Sequence, residues 1–170
     1  MNKRAIGIAF GGLIGIWSTV SAQGPGATAT LTPTAGNTVG GTVTFMPSGN
    51  GVAVAAKVTG LPPGSHGFHI HAKGDCSAPD ASSAGDHYNP TSKPHGDPAS
   101  AEHHAGDMPM LVADASGNAT LNATVAGLKI GSGEDIVGKA VVVHKDPDDF
   151  KTQPSGNSGA RIACGVIKRS

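Results

Sequence analysis

The segment Gly67-Phe68-His69-Ile70-His71 alternates large apolar side chains with imidazoles. Because successive side chains of a β-strand point to opposite faces, this alternation predicts a strand whose core face carries Phe68 and Ile70. His69 and His71 then share the outer face. Taken alone, two histidines at this spacing are most often surface residues of a half-buried strand. Whether they bind a ligand depends on what the rest of the chain brings to that face.

Seven other segments show the same period of two residues or a short continuous apolar run. Together with the first, they make eight predicted strands: 27–32, 41–46, 52–59, 67–72, 110–113, 119–125, 139–145 and 161–167. Turn sequences rich in Gly, Pro, Asn and Asp separate most of them, and no segment has the 3.6-residue apolar stripe of a long helix. We therefore predict an all-β domain, an antiparallel sandwich or barrel.

Composition narrows the class of protein further. The chain has 170 residues, which is enough for one domain, and Lys plus Arg (12) balance Asp plus Glu (12). This balance excludes a polybasic surface for nucleic acid, and the aromatic share of 4% argues against base-stacking platforms. Eight histidines in so small a chain indicate metal chemistry instead.

Residues 1–22 have the pattern of a signal peptide. Two basic residues precede an uncharged run at 5–20, and small residues before Gln23 offer a cleavage point. A membrane anchor is the alternative, but the run contains four glycines and is shorter than the roughly 20 residues of a membrane span. We expect removal of 1–22, an exported domain at 23–170, and no membrane association afterwards.

The two cysteines, Cys76 and Cys164, lie 88 positions apart. An exported protein with two cysteines most simply forms one disulfide, which would stabilise the fold by about 4 kcal/mol in the chain-entropy model. Free thiols or metal ligands are the alternatives, although this separation is not that of a zinc ribbon.

Two segments lack strand patterns. Residues 73–109 contain almost no periodic apolar side chains but four histidines, and residues 145–160 are rich in Asp, Pro, Ser and Gly. Loops longer than about 15 residues in a compact domain are usually functional or disordered. The histidines favour a functional loop at 73–109.

Two groups of candidate metal ligands follow. His144 ends an apolar strand. If that strand is a neighbour of 67–72 in the sheet, His144 lies close to His69 and His71. Three imidazoles on rigid strands make a strong site for a divalent metal. The second group lies in the long loop: His87, His95, His104 and Asp107. Four such ligands suit zinc, and metal binding would order a loop that has little core of its own. We expect His66 and His103 to take no part.

The motifs and their order resemble the copper/zinc superoxide dismutases. They are Gly67-Phe68-His69-Ile70-His71, Gly85-Asp86-His87-Tyr88-Asn89-Pro90, Pro94-His95-Gly96, His104-Ala105-Gly106-Asp107, Val142-Val143-His144 and Arg161-Ile162-Ala163-Cys164-Gly165-Val166-Ile167. The resemblance extends over essentially the whole predicted mature chain. It implies an eight-stranded antiparallel Greek-key β-barrel, a flattened sandwich, with 73–109 as the disulfide and zinc loop and 145–160 as the guiding loop.

The resemblance also implies the site and the reaction. The enzyme would dismutate superoxide to dioxygen and hydrogen peroxide with one redox-active copper and one structural zinc per chain. The copper ligands would be His69, His71, His87 and His144. The zinc ligands would be His87, His95, His104 and Asp107. His87 would bridge the two metals as an imidazolate and take up a proton when copper is reduced.

Three further roles follow from the resemblance. Asp148 would orient His69 and His95 by hydrogen bonds to their rings. Arg161 would attract and orient the anionic substrate beside the open copper position. The disulfide between Cys76 and Cys164 would tie the long loop to the barrel near Arg161.

Two lengths match the bacterial periplasmic branch of the family rather than the eukaryotic cytosolic one. Ten residues separate Cys76 from His87, and the segment 145–160 is short. With the signal peptide, they indicate a periplasmic antioxidant enzyme whose partner is the superoxide anion. The sequence leaves a homodimer and a monomer both open.

Two other functions use the same ligands. A copper or zinc scavenger would need neither Arg161 nor a bridging histidine. A zinc hydrolase would need a general base near its metal, but the only glutamates are Glu102 and Glu134, and no H-E-x-x-H motif occurs. Both functions are therefore weaker interpretations.

Overall fold

The computed structural model describes residues 26–170, so the predicted signal peptide at 1–22 lies outside the described residues. This part of the chain contains ten strands and one 3₁₀ turn. The strands are β1 (Ala27–Pro33), β2 (Gly40–Ser48), β3 (Gly51–Thr59), β4 (Gly64–His66), β5 (Phe68–His71), β6 (Leu111–Ala113), β7 (Ala119–Ala126), β8 (Ala140–His144), β9 (Arg161–Val166) and β10 (Lys168–Arg169). The 3₁₀ turn is Ser82–Ala84. Within residues 26–170, no helix is long and apolar enough to cross a membrane.

All strand pairs are antiparallel, in the order β4-β6-β7-β3-β2-β1-β9-β8-β5, with β10 beside β1. The chain passes from β3 to the outer strands β4 and β5 and later returns from β7 to β8, which are crossovers of the Greek-key kind. The predicted all-β Greek-key class is confirmed. Eight strands correspond to predicted ones, and β4 (Gly-Ser-His) and β10 (Lys-Arg) are extra because they contain no apolar residue to signal a strand.

The interior of the barrel is lined by alternate residues of the strands. The apolar side chains Phe68 and Ile70 of β5 and Val141 and Val143 of β8 belong to this core and have no exposed surface. Burial of such side chains stabilises a fold by roughly 1.5–3 kcal/mol each. The expectation that Phe68 and Ile70 face the core is therefore confirmed.

A second, smaller apolar cluster lies on the outer face of β8 and β9. Ala140, Val142 and Cys164 pack there against Ala81 and Ala84, which belong to the long loop 73–109. The disulfide that joins Cys76 to Cys164, with 5.8 Å between the Cα atoms, holds the loop on this face. The loop thus covers the outer face, as the sequence predicted.

The pairing of β5 with β8 brings three histidines to that same face. His69 is paired with Val142 and His71 with Ala140, and paired residues share a face of the sheet. His144 lies two positions after Val142, so it lies on this face as well. Its backbone N–H donates to the carbonyl oxygen of Gly67, at 2.8 Å, which fixes it beside the start of β5.

Candidate metal centre

Two groups of four buried ligands meet under the loops. In each group, one ligand atom per residue lies within 4.8 Å of the others. The first group comprises His69, His71, His87 and His144, and the second comprises His87, His95, His104 and Asp107. We call them the first and second clusters. His87 belongs to both, so the structure brings all seven predicted ligands together.

The hydrogen bonds of the first cluster determine which ring nitrogens are free. Nδ1 of His71 donates to the carbonyl oxygen of Gly85, at 2.8 Å, and Nδ1 of His144 donates to that of Gly159, at 3.2 Å. In a neutral imidazole the other nitrogen then carries a lone pair. The two Nε2 atoms lie 3.3 Å apart, so two lone pairs converge on one point.

His69 presents its other nitrogen to the same place. Its Nε2 donates to Oδ2 of Asp148, at 2.6 Å, which leaves the lone pair on Nδ1. Within residues 26–170, Nδ1 of His69 and Nε2 of His87 are buried and have no hydrogen-bond partner. An unsatisfied buried polar atom costs about 1–3 kcal/mol, and a metal bound between these two nitrogens would satisfy both. Four imidazole nitrogens suit Cu(II).

The second cluster surrounds one carboxylate oxygen. Oδ1 of Asp107 lies 2.9 Å from Nδ1 of His87, 3.1 Å from Nδ1 of His95 and 3.4 Å from Nδ1 of His104. Nε2 of His95 donates to Oδ1 of Asp148, at 2.9 Å, so in the neutral ring a lone pair on Nδ1 would face the carboxylate. Such a pair of acceptors requires a positive charge between them. Three imidazoles and one carboxylate are a donor set typical of zinc.

The pKa values follow from these contacts. Burial lowers the pKa of His87 to about 4, although its hydrogen bond to Asp107 opposes the shift. Burial, and next the charge of His69, lower the pKa of His144 to about 3. Burial also acts to lower the pKa of His95, but its hydrogen bonds to Asp107 and Asp148 outweigh it and raise the pKa to about 9. His87 and His144 therefore stay neutral, which is the form in which imidazole binds metals.

The open side of the first cluster leads into a cavity of about 730 Å³. Its lining includes His71, His87 and His144, together with the cations Arg161 and Lys139. The Arg161 guanidinium donates at 2.7 Å to the carbonyl oxygens of both Ala81 and Gly85 in the long loop. Arg161 is thus held at the wall of the cavity that gives access to the ligands.

Two residues make contacts near the clusters that the sequence analysis did not identify. The carbonyl oxygen of Gly85 accepts hydrogen bonds from both His71 and Arg161, but nothing in its sequence position signals this except that it precedes Asp86-His87. His66 lies outside both clusters, as expected, yet its ring is buried between the carbonyl oxygens of His144, at 3.0 Å, and Pro62, at 2.8 Å. His103 also lies outside both clusters.

Together, the fold and site define a Greek-key metalloprotein with two adjacent histidine-rich sites. Residues 39–167 match the family described as copper/zinc superoxide dismutase (SODC). The chain is also 42% identical over 138 residues to superoxide dismutase [Cu-Zn] 2 of Mesembryanthemum crystallinum, which covers 77% of this chain and 88% of that protein. The chain therefore belongs to the copper/zinc superoxide dismutase family. It is an oxidoreductase whose substrate is superoxide and whose cofactors are copper and zinc.

Proposed function

We propose that the first cluster holds the redox-active copper and that the second cluster holds a structural zinc, with His87 shared between them. The observation that carries this assignment is the position of the His87 ring. Its Nδ1 lies 2.9 Å from Oδ1 of Asp107 in the second cluster, and its buried Nε2 is left for the first. The first cluster has only nitrogen donors and the second includes a carboxylate, which agrees with the preferences of Cu(II) and zinc.

Copper in the first cluster supplies one-electron chemistry, oxidising one superoxide to dioxygen and reducing the next to peroxide. The two reactions together consume two superoxide anions and two protons and release one dioxygen and one hydrogen peroxide. The remaining tasks belong to side chains: to attract an anion, to orient it and to deliver a proton.

Arg161 performs the first two tasks. Its guanidinium carries a permanent charge and lines the cavity that leads to His71, His87 and His144. Its two bonds to the carbonyl oxygens of Ala81 and Gly85 fix the direction of the guanidinium plane. A fixed cation in a narrow cavity attracts small anions and raises their association rate.

His87 performs the third task. Its Nε2 has no hydrogen-bond partner within the described part of the chain, and its ring lines the same cavity. A proton held on this nitrogen is within the cavity where peroxide forms. The second cluster, which includes Asp107 beside Nδ1, would keep the ring in place while Nε2 gains and loses the proton.

The assignment is tested by reconstitution with copper and zinc followed by pulse radiolysis of superoxide. We expect rapid second-order decay that requires copper, and a loss of bound copper when His69 is replaced by alanine. His103→Ala is the matched control, because His103 lies outside both clusters, and it should retain metal and activity. Bound copper that does not cycle with superoxide would contradict the proposal and favour a scavenger.

We also propose that the mature protein is residues 23–170 and works in the periplasm. The signal-like composition of 1–22, the disulfide and the short segment 145–160 support export. Cell fractionation and N-terminal sequencing should find the protein in the periplasm beginning at Gln23. A cytoplasmic location would contradict the proposed compartment, and an uncleaved N-terminus would contradict the proposed mature chain.

A further inference from the structure

The segment 90–104 has few attachments to the rest of the molecule. It forms the outer part of the loop 73–109 and brings His95 and His104 into the second cluster. Within residues 26–170, every hydrogen bond between this segment and a residue outside 85–109 involves His95. Apart from its bonds within the loop, the segment is therefore hydrogen-bonded to the rest of the described chain through one residue.

Two of those bonds go to a single side chain, that of Gln153 in the segment 145–160. The backbone N–H of His95 donates to Oε1 of Gln153, at 2.8 Å, and Nε2 of Gln153 donates to the backbone carbonyl oxygen of His95, at 2.9 Å. The carboxamide thus satisfies both main-chain groups of His95, as a neighbouring β-strand would. Gln153 also donates to the carbonyl oxygen of Lys151, at 3.3 Å, which steadies the amide.

The third bond fixes the ring of the same histidine. Nε2 of His95 donates to Oδ1 of Asp148, at 2.9 Å, so that Nδ1 faces Oδ1 of Asp107. Main chain and ring are therefore held by different residues of 145–160. Because the main chain and the ring of His95 are both fixed, Nδ1 points toward the second cluster.

We infer that Gln153 is a positioning residue of the second cluster, which acts by holding the main chain of His95. This inference rests on the proposed zinc site, because His95 matters to function only as a ligand there. Only glutamine has both the length and the paired donor and acceptor that the two bonds require. Asparagine is one methylene shorter, and glutamate has no donor when ionised.

The chain contains the same kind of pairing at a second place. Asn89 accepts from the backbone N–H of Lys93, at 3.0 Å, and donates to its carbonyl oxygen, at 2.8 Å. This pairing joins two residues of the same loop, so it shapes the loop without attaching it to another element. Gln153 differs because it connects two loops. Gln153 and His95 are 58 positions apart in the sequence.

The test compares Gln153→Met, which keeps the length but loses both bonds, with Gln153→Glu, which keeps only the acceptor. Lys151→Met is the matched control, because it introduces the same side chain two positions away at an exposed site. In the metal-loaded enzyme, we expect amide exchange at His95 and zinc release to a chelator to be about tenfold faster in Gln153→Met. Gln153→Glu should lie between wild type and Gln153→Met, and Lys151→Met should match wild type.

A spectroscopic measurement separates positioning from a general loss of stability. With cobalt in the second cluster, the visible absorption bands should shift in Gln153→Met and remain unchanged in Lys151→Met. Wild-type zinc release and an unchanged cobalt spectrum in Gln153→Met would overturn the inference. The proposed function fails separately: if His95→Ala retains zinc as tightly as wild type, the zinc assignment itself is wrong.

Discussion

Asp148 and His69 form a hydrogen bond of 2.6 Å between Oδ2 and Nε2, and both side chains are fully excluded from solvent. The other carboxylate oxygen accepts from Nε2 of His95, at 2.9 Å. One carboxylate therefore orients one ring from each cluster. The two hydrogen bonds hold the pKa of Asp148 below its ordinary value although burial opposes this shift, so the group stays ionised and acts only as an acceptor.

The first prediction concerns this shared carboxylate. Asp148→Asn keeps one acceptor but turns an N–H₂ group toward the other ring, which also presents an N–H. One imidazole must then rotate or change its tautomer. We expect the affinity for at least one metal to fall about 10- to 100-fold. Metal content after dialysis and competition with chelators measure this loss, and wild-type affinity for both metals would contradict it.

The second prediction concerns Arg161. Arg161→Ala removes the fixed cation from the cavity wall and leaves the ligands untouched. We expect the second-order rate with superoxide to fall at least about tenfold and its dependence on ionic strength to weaken, with copper retained. Arg161→Lys, which retains the charge but not the paired bonds, should keep part of the salt dependence. An unchanged rate by pulse radiolysis would exclude the proposed role.

The third prediction concerns Gly85, whose φ of 73° and ψ of −153° suit only glycine. An added Cβ would meet nothing closer than Lys73 Cδ at 3.5 Å, so the cost of Gly85→Ala comes from the backbone. We expect it to lower the free energy of unfolding by about 1–3 kcal/mol. It should also reduce activity per bound copper, because the Gly85 carbonyl accepts from both His71 and Arg161.

Gly36→Ala is the matched control for Gly85→Ala. Gly36 has a φ of 76°, and an added Cβ there would have no neighbour within 4 Å. Its substitution should lower stability in urea unfolding while activity per copper stays at the wild-type level. Equal losses of activity in the two variants would show that backbone strain alone, rather than the Gly85 carbonyl, governs the effect.

The fourth prediction concerns removal of the metals. Residues 85–107 rely on the carboxylate of Asp107 and its imidazole neighbours for order, because they contribute little to the apolar core. Chelation should accelerate amide exchange in 85–107 at least about tenfold, while exchange in β2 and β3 stays slow. Uniform acceleration across the barrel would show instead that metal binding supports the whole fold.

Most of the fold could be predicted because its strands carry a local signal. The alternation at 67–71 placed Phe68 and Ile70 inside and the histidines outside, and the long polar segment 73–109 marked the covering loop. The two extra strands, β4 and β10, contain no apolar residue that would signal a strand. Their pairing depends on neighbours that are distant in the sequence.

The ligands could be predicted because their chemistry is visible in the residue types. The groups that hold them were harder to find, since they act through the main chain or through contacts between loops. Gly85 acts through its carbonyl, His66 binds the carbonyl of His144, and Gln153 pairs with the backbone of His95. No local pattern marks such contacts, because they arise only when the loops are folded over the barrel.

The proposed function depends on His87 being shared by two unlike metals. Crystals of the copper- and zinc-loaded protein, measured on both sides of each metal's absorption edge, test it most directly. We expect a copper peak among His69, His71 and His144, and a zinc peak among His95, His104 and Asp107, with the His87 ring between them. A single peak, exchanged metals, or two peaks that do not both contact His87 would contradict it.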